Sequence, residues 1–351
     1  MRKWILAALG IVVLPLFLPG WRSGSAELRN PANPVVSLVR TLEVGPPVSC
    51  GNLTFVPVYA RRIADRTDYV TLEEALKTRV VEITEVDGGR VPQVKISNLS
   101  KSVLFLMAGE ILSGCRQDRI LAQDVLLAPG TRNLIVPVYC VEQGRWTAHS
   151  AAFTSKANLG TYRLRAKAAE QAPAAQSRIW EEVRSQNRDL GVASGTSAYQ
   201  DAYDKEENKQ AIGDIEKKIS RELRLGDDVV GVVIGLGGRA VSVDIFANAG
   251  LFKKQWPKIL KSSALSSIYE NRGGELSQKA AADFLRSFAG REYGRRPALD
   301  LGYELESAEK GAMVKALVCG TAVIHLAGFP QEADRMKVVE SPEPRMPVFR
   351  R

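Results

Sequence analysis

The sequence predicts an α+β protein. A β-rich N-terminal half, a sandwich or small barrel, is followed by a helical connector and a smaller C-terminal α+β half. Three observations predict it. Between Asn52 and Trp146, short β-rich runs alternate with turn signals. From Tyr162 to Asn187 the composition shifts to Ala, Gln, Arg and Glu. After Val229, two β-branched runs flank Gly235-Leu236-Gly237-Gly238, and two helical patterns follow.

The chain opens with Arg2-Lys3, an apolar run from Trp4 to Leu18 broken by Pro15, and then the breakers and small residues Pro19, Gly20 and Ser23 to Ala26. With no acidic residue before Glu27, residues 1–26 read as a signal peptide. The alternative is an uncleaved N-terminal anchor, because Trp4 to Trp21 is 18 residues, close to bilayer-spanning length. Both readings expect an extracytoplasmic protein, periplasmic or secreted, touching a membrane only through that segment. Residues 27–50, rich in Pro, Asn and Ser, read as a leader.

The β-rich half is expected over 51–160. Its runs are Leu53 to Val58, Val80 to Thr84, Val91 to Ile96 and Val103 to Met107, interrupted by one short helix at Thr71 to Leu76. Thr71 with Glu74 spells a capping box for that helix. The connector spans 161–225. Pro173 splits its first helix, and Ile212, Ile215 and Ile219 give the helix Asp204 to Leu223 one narrow apolar face. In the α+β half, 226–330, helices are expected at Gly250–Ile268 and Ser277–Phe288, and strands at Tyr303–Leu305, Met313–Cys319 and Thr321–Leu326. Residues 331–351 form a basic tail. Gly235-Leu236-Gly237-Gly238-Arg239-Ala240 matches a dinucleotide fingerprint in spelling, but that fingerprint needs a helix next. Val241 to Phe246 alternates with period two instead, so Gly237-Gly238 is expected to be a hairpin turn.

Of 351 residues, 45% are hydrophobic and 25% charged, which is ordinary globular composition. The net charge of +9 becomes +6 once Arg2, Lys3 and Arg22 leave with residues 1–26. Basic and aromatic residues never interleave over one face, so no nucleic acid partner is expected. His149 and His325 are the only histidines, and no cysteine spacing fits zinc, so no metal is expected. No cofactor is identified. Export would put Cys50, Cys115, Cys140 and Cys319 in an oxidising compartment. Cys115 with Cys140 is the most local of the pairings, closing a loop of about 25 residues, worth a few kcal/mol.

Chemistry-bearing residues concentrate in two stretches. In Gly109-Glu110-Ile111-Leu112-Ser113-Gly114-Cys115-Arg116-Gln117-Asp118-Arg119, two carboxylates, two guanidiniums and a carboxamide directly follow an apolar run. In Val136 to Trp146 a strand delivers Cys140 and Glu142, and Arg145-Trp146 follow a glycine. Arg116, Arg119 and Arg145 could hold an anion with bidentate forks. Gln117 and Asp118 would orient it, Trp146 would stack a ring, and Glu110 and Glu142 would handle protons. The alternative is a buried ion-pair network in which the same carboxylates satisfy the same arginines. His325, among Val323, Ile324 and Leu326, reads as a satisfied core-edge histidine.

These stretches resemble the ARG and Rhodanese-Phosphatase-superfamily-associated protein domain, a prokaryotic family. The resemblance rests on Gly109-Glu110, Gly114 to Arg119 and Pro137 to Trp146, with Glu142-Gln143-Gly144-Arg145-Trp146 the most specific string. It extends to Trp180-Glu181-Glu182-Val183, Gly237-Gly238-Arg239 with Asp244, and Trp256-Pro257-Lys258, over about Cys50 to Gly328. Cys115 stands where a small residue is usual, and Arg116 where Lys is common, which removes a Schiff-base lysine. The family name records association with ADP-ribosylglycohydrolases and with rhodanese and phosphatase domains. The resemblance implies binding, with or without hydrolysis, of a small anionic ligand, ADP-ribose-like or otherwise phosphorylated. The alternative is a non-catalytic extracytoplasmic interaction module, whose protein partner would meet the charged helix at Lys217 and Lys218 or the tail Arg345 to Arg351.

Overall fold

Gly237 and Gly238 both adopt positive φ (56° and 78°), which a tight two-residue hairpin turn demands. They join Val229–Leu236 to Arg239–Phe246 as antiparallel neighbours, with a bulge at Ile234/Gly235. A strand therefore stands where a nucleotide fold would need a helix. In this computed structural model the described residues are 33–331, without 87–91, 146, 148–149, 173, 271 and 310. The signal segment 1–26 and residues 332–351 of the tail lie outside them, as do Trp146, His149 and Pro173.

The hairpin is the centre of a nine-stranded antiparallel sheet. Its order is Leu42–Val44, Leu53–Ala60, Val229–Leu236, Arg239–Phe246, Ala322–Pro330, Ala312–Cys319, Tyr303–Ser307 and Gly294–Pro297. Val48–Cys50 also pairs with Leu53–Ala60. Both faces are covered, which is why Val229–Leu236 is buried along its whole length. Leu53 and Phe55 point to one apolar cluster and Val56 and Val58 to another, following the strand period of two. The first cluster takes Phe252, Trp256 and Ile259 from the long helix Ala249–Tyr269. The second takes Leu285 from the helix Gln278–Arg286 and Val35 from the helix Pro34–Val39. Each such fully buried side chain contributes roughly 1.5–3 kcal/mol.

The β-rich half supplies a second sheet of six strands. Its order is Phe153–Thr154, Ile111–Gly114, Arg119–Leu121, Leu134–Cys140, Gln93–Asn98 and Val81–Glu85. The two edge strands, Phe153–Thr154 and Val81–Glu85, lie beside each other, so this sheet is a nearly closed barrel. Leu104–Leu106 and Val125–Leu127 form a separate pair. The short helix Leu72–Lys77 carries the capping box, with the Thr71 N–H donating to Glu74 Oε2 at 2.9 Å. Helices Tyr162–Glu170, Ala175–Asp189, Gln200–Asp204 and Glu206–Glu222 bury Leu164, Ile179, Val183, Tyr203 and Ile212 against Ile111, Ile120 and Val141.

The mixed α+β class holds, and three details differ from the sequence expectation. The stretch 27–50 is not all leader, because Pro34–Val39 is helical and Leu42–Val44 pairs with Val58–Ala60. Pro34 suits a first helical position, and Val35 and Val39 lie one turn apart on the buried face. The helix expected from Asp204 breaks at Lys205, whose ψ of 127° is extended. The edge strand Gly294–Pro297 has no β-branched residue. Its arginines and terminal proline suit an edge, where charge and a missing N–H block further pairing. Because Leu53–Ala60 lies in the same sheet as Val229–Leu236, that sheet draws on both halves of the chain.

Candidate functional site

The turn Met107 to Glu110 links Leu104–Leu106 to Ile111–Gly114 and ties two buried ion clusters together. Gly109 takes φ 95°, and a Cβ there would lie 2.6 Å from Arg165 Cγ, so only glycine fits. The Ala108 N–H donates to Asp124 Oδ1 at 2.7 Å, and the Met107 N–H to Glu110 Oε2 at 3.1 Å. Gly109→Ala is accordingly expected to cost about 1–3 kcal/mol in chemical denaturation, since it combines backbone strain with a clash. A wild-type midpoint in that variant would contradict this role of Gly109.

In the first cluster Glu110 is wholly buried and pairs with Lys258 of the long helix. The Lys258 ammonium also donates to Glu73 Oε2 at 2.6 Å. Burial pushes the Glu110 carboxyl up to about 7, against the pull of Lys258. Burial alone would lower Lys258, but the two carboxylates outweigh it and hold the ammonium above its usual range.

The second cluster centres on His325, also wholly buried. Its Nδ1 faces Asp124 Oδ2 at 2.7 Å and its Nε2 faces Asp244 Oδ1 at 3.2 Å. Burial favours the neutral ring, but the carboxylates of Asp124 and Asp244 dominate and lift His325 to about 9, so both nitrogens donate. Phe246 stacks on the ring at 4.5 Å, and Phe105 meets it edge-on at 5.8 Å. Arg165 grips Asp244 with both terminal nitrogens, at 3.0 and 2.5 Å. Burial opposes the Asp244 charge, yet Arg165 and His325 hold its carboxyl well below the usual carboxylate range.

Asp124 and Arg165 also line a pocket between the helix Tyr162–Glu170 and the far strands of the large sheet. Arg296, Glu304, Lys315 and Gln171 share it. It holds about 460 Å³ of empty space with its mouth included, but it is narrow, with about 30 Å³ open to the centre of a water molecule. Four of its side chains close into a ring. Gln123 Nε2 donates to Glu304 Oε1 at 2.8 Å and Arg296 Nε to Glu304 Oε2 at 2.7 Å. Arg296 also donates to Gln171 Oε1 at 2.8 Å, and Gln171 Nε2 returns to Gln123 Oε1 at 3.2 Å.

The residues singled out from sequence fall in three places. Glu110 belongs to the first cluster. Gln117, Asp118, Arg119, Glu142 and Arg145 form a separate buried network. Arg145 donates to the Cys115 carbonyl at 2.8 Å and to Asp118 Oδ1 at 3.1 Å, and pairs with Glu142 Oε2 at 2.6 Å. Arg119 donates to Gln117 Oε1 at 3.0 Å, and Gln117 donates to the Glu142 carbonyl at 2.9 Å. Burial raises the Asp118 carboxyl, whereas Arg145 overcomes burial at Glu142 and lowers it. Arg116 stands apart, half exposed beside Glu85.

The Cys115–Cys140 disulfide is corrected: both are free buried thiols. The register sets Arg119, not Cys115, opposite Cys140, whose thiol donates to the Glu142 carbonyl at 3.0 Å. Burial pushes the Cys115 thiol up to about 11 and raises Cys140 too, which makes neither a ready nucleophile.

Nothing in the local sequence marks Asp124, Arg165, Arg296, Glu304 or Lys315. Asp244 and Lys258 were signalled only through the family resemblance. A family model described as "ARPP-1: ARG and Rhodanese-Phosphatase-superfamily-associated Protein domain" matches residues 41–329. No curated protein and no solved structure matches the chain.

Proposed function

The chain belongs to the ARPP-1 domain family, and from that premise we propose that it binds a small anionic, phosphorylated ligand in the pocket lined by Arg165, Arg296 and Lys315. The observation that carries this reading is the convergence of three cations with two carboxylates, Asp124 and Glu304, on one narrow pocket. Guanidinium forks suit phosphate oxygens, and Lys315 adds a compact charge. Carboxylate and carboxamide oxygens beside them suit the hydroxyls of a sugar phosphate or of an ADP-ribose-like compound. The Gly109–Glu110 turn supports the floor, because it fixes Asp124 through Ala108 and packs on Arg165. Doubly bound His325 has no lone pair to offer, which favours a positioning charge over a base at that point. The basic, apolar and small-residue pattern of residues 1–26 supports binding outside the cytoplasm.

The test is a thermal-shift screen of the full chain against inorganic phosphate, sugar phosphates, ADP-ribose and uncharged sugars. A ligand at 100 times its Kd adds about 2.7 kcal/mol to native-state stability. Phosphorylated compounds are expected to raise the midpoint of wild type and to lose that effect in Arg296→Ala. Equal shifts with uncharged sugars, or shifts that survive Arg296→Ala, would overturn the reading.

A further inference from the structure

We infer that Glu304 sits in the seat of the ligand's anionic group, an internal carboxylate that the ligand must displace from Arg296. This rests on the proposed anion pocket and adds what now fills it. Arg296 and Glu304 are direct cross-strand partners in the edge hairpin Gly294–Pro297/Tyr303–Ser307. The guanidinium turns its side edge to one carboxylate oxygen, with Nε at 2.7 Å and a terminal nitrogen at 2.5 Å from Glu304 Oε2. That is the edge on which arginine takes a carboxylate or a phosphate from a ligand. The other carboxylate oxygen is held by Gln123, and Gln171 completes the ring, which accounts for the narrowness of the pocket.

Glu304 is a costly occupant. It is buried, 6% exposed, and Asp124 lies near enough for its like charge to oppose ionisation. Burial and Asp124 both push its carboxyl up, and Arg296 answers them only in part. Two residues along the same strand, Glu306 pairs closely with Lys315, reaches Arg296 only at 3.9 Å, and is 42% exposed, so water screens it. An incoming oxyanion that takes the Arg296 edge would release Glu304 from a site that disfavours its charge. The class of ligand is therefore one whose terminal carboxylate or phosphate can replace a side-chain carboxylate on a single guanidinium.

Isothermal titration of inorganic phosphate, and separately of acetate, into the full chain separates the two head groups. Glu304→Gln keeps the side-chain shape and is expected to bind the preferred anion at least tenfold more tightly than wild type. Glu304→Asp, which retracts the carboxylate, should gain in the same direction, and circular dichroism checks that both variants are folded. Glu306→Gln makes the same charge change in a screened position and should gain less. Affinity that is unchanged or weaker in both Glu304 variants, or an equal gain in Glu306→Gln, would overturn the inference while leaving the pocket as a binding site. No binding of either anion by any of the four proteins would instead remove the anion seat and the proposed function with it.

Discussion

Lys258→Met is expected to destabilise the protein by roughly 3–5 kcal/mol. The side chain carries the ammonium that pairs with Glu110, and Glu110 is wholly buried. Glu73 loses the same partner but is part-exposed, so it recovers some hydration. Much of the cost is that of leaving Glu110 without its counter-ion, which forces the carboxyl, already raised to about 7, to take up a proton. The double variant Lys258→Met/Glu110→Gln should therefore recover most of the loss, because a neutral pair needs no counter-ion. Urea denaturation of the four-member cycle measures this. Additive losses in the double variant would show that the two residues act independently.

The second large effect is on pH dependence. His325 is raised from an ordinary 6.5 to about 9, so its contribution is fully present below about pH 6.5 and is lost as pH rises through about 9. At about 1.4 kcal/mol per unit, that loss is on the order of 3 kcal/mol. Glu110, raised to about 7, adds a loss in the same direction between about pH 4.5 and 7, because its folded site prefers the proton. Asp244 has the opposite sign. Its lowered carboxyl contributes stability above the ordinary carboxylate range and loses it only in strong acid. Denaturant midpoints should thus fall steadily from about pH 6.5 to 9. Asp244→Asn should cost roughly 3–5 kcal/mol, by leaving Arg165 unpaired, and should shift the alkaline loss to lower pH. Stability that stays flat between pH 6.5 and 9 would mean that His325 is not held as an imidazolium.

The hairpin at Gly237-Gly238 was legible because Val241 to Phe246 keeps a period of two, and the Thr71 cap because both partners lie within one helical turn. What stayed hidden is what depends on pairing across long separations. His325 is a satisfied histidine, as its apolar neighbours suggest, but its partners Asp124 and Asp244 are 201 and 81 residues away in the chain. Glu110 reads in the sequence as a charge directly after an apolar run, yet its counter-ion Lys258 is 148 residues on. Arg296 and Glu304 are only eight apart, but Gly-Arg-Arg-Pro carries no strand signal, so the hairpin that joins them was not visible. In the Glu142–Arg145 stretch the local pattern could not choose between a ligand and a clamp. Its side chains close on one another and on Cys115.

Whether an oxyanion seats on Arg296 is tested most directly by locating one. Tungstate, a phosphate-shaped anion visible by anomalous scattering, would be soaked into crystals of the Glu304→Gln protein. The expected result is one strong peak within reach of Arg296 and Lys315, in the pocket floored by Asp124 and Arg165. A peak at Arg145 between Asp118 and Glu142, with the Arg296 pocket empty, would contradict it and move the ligand to the other network.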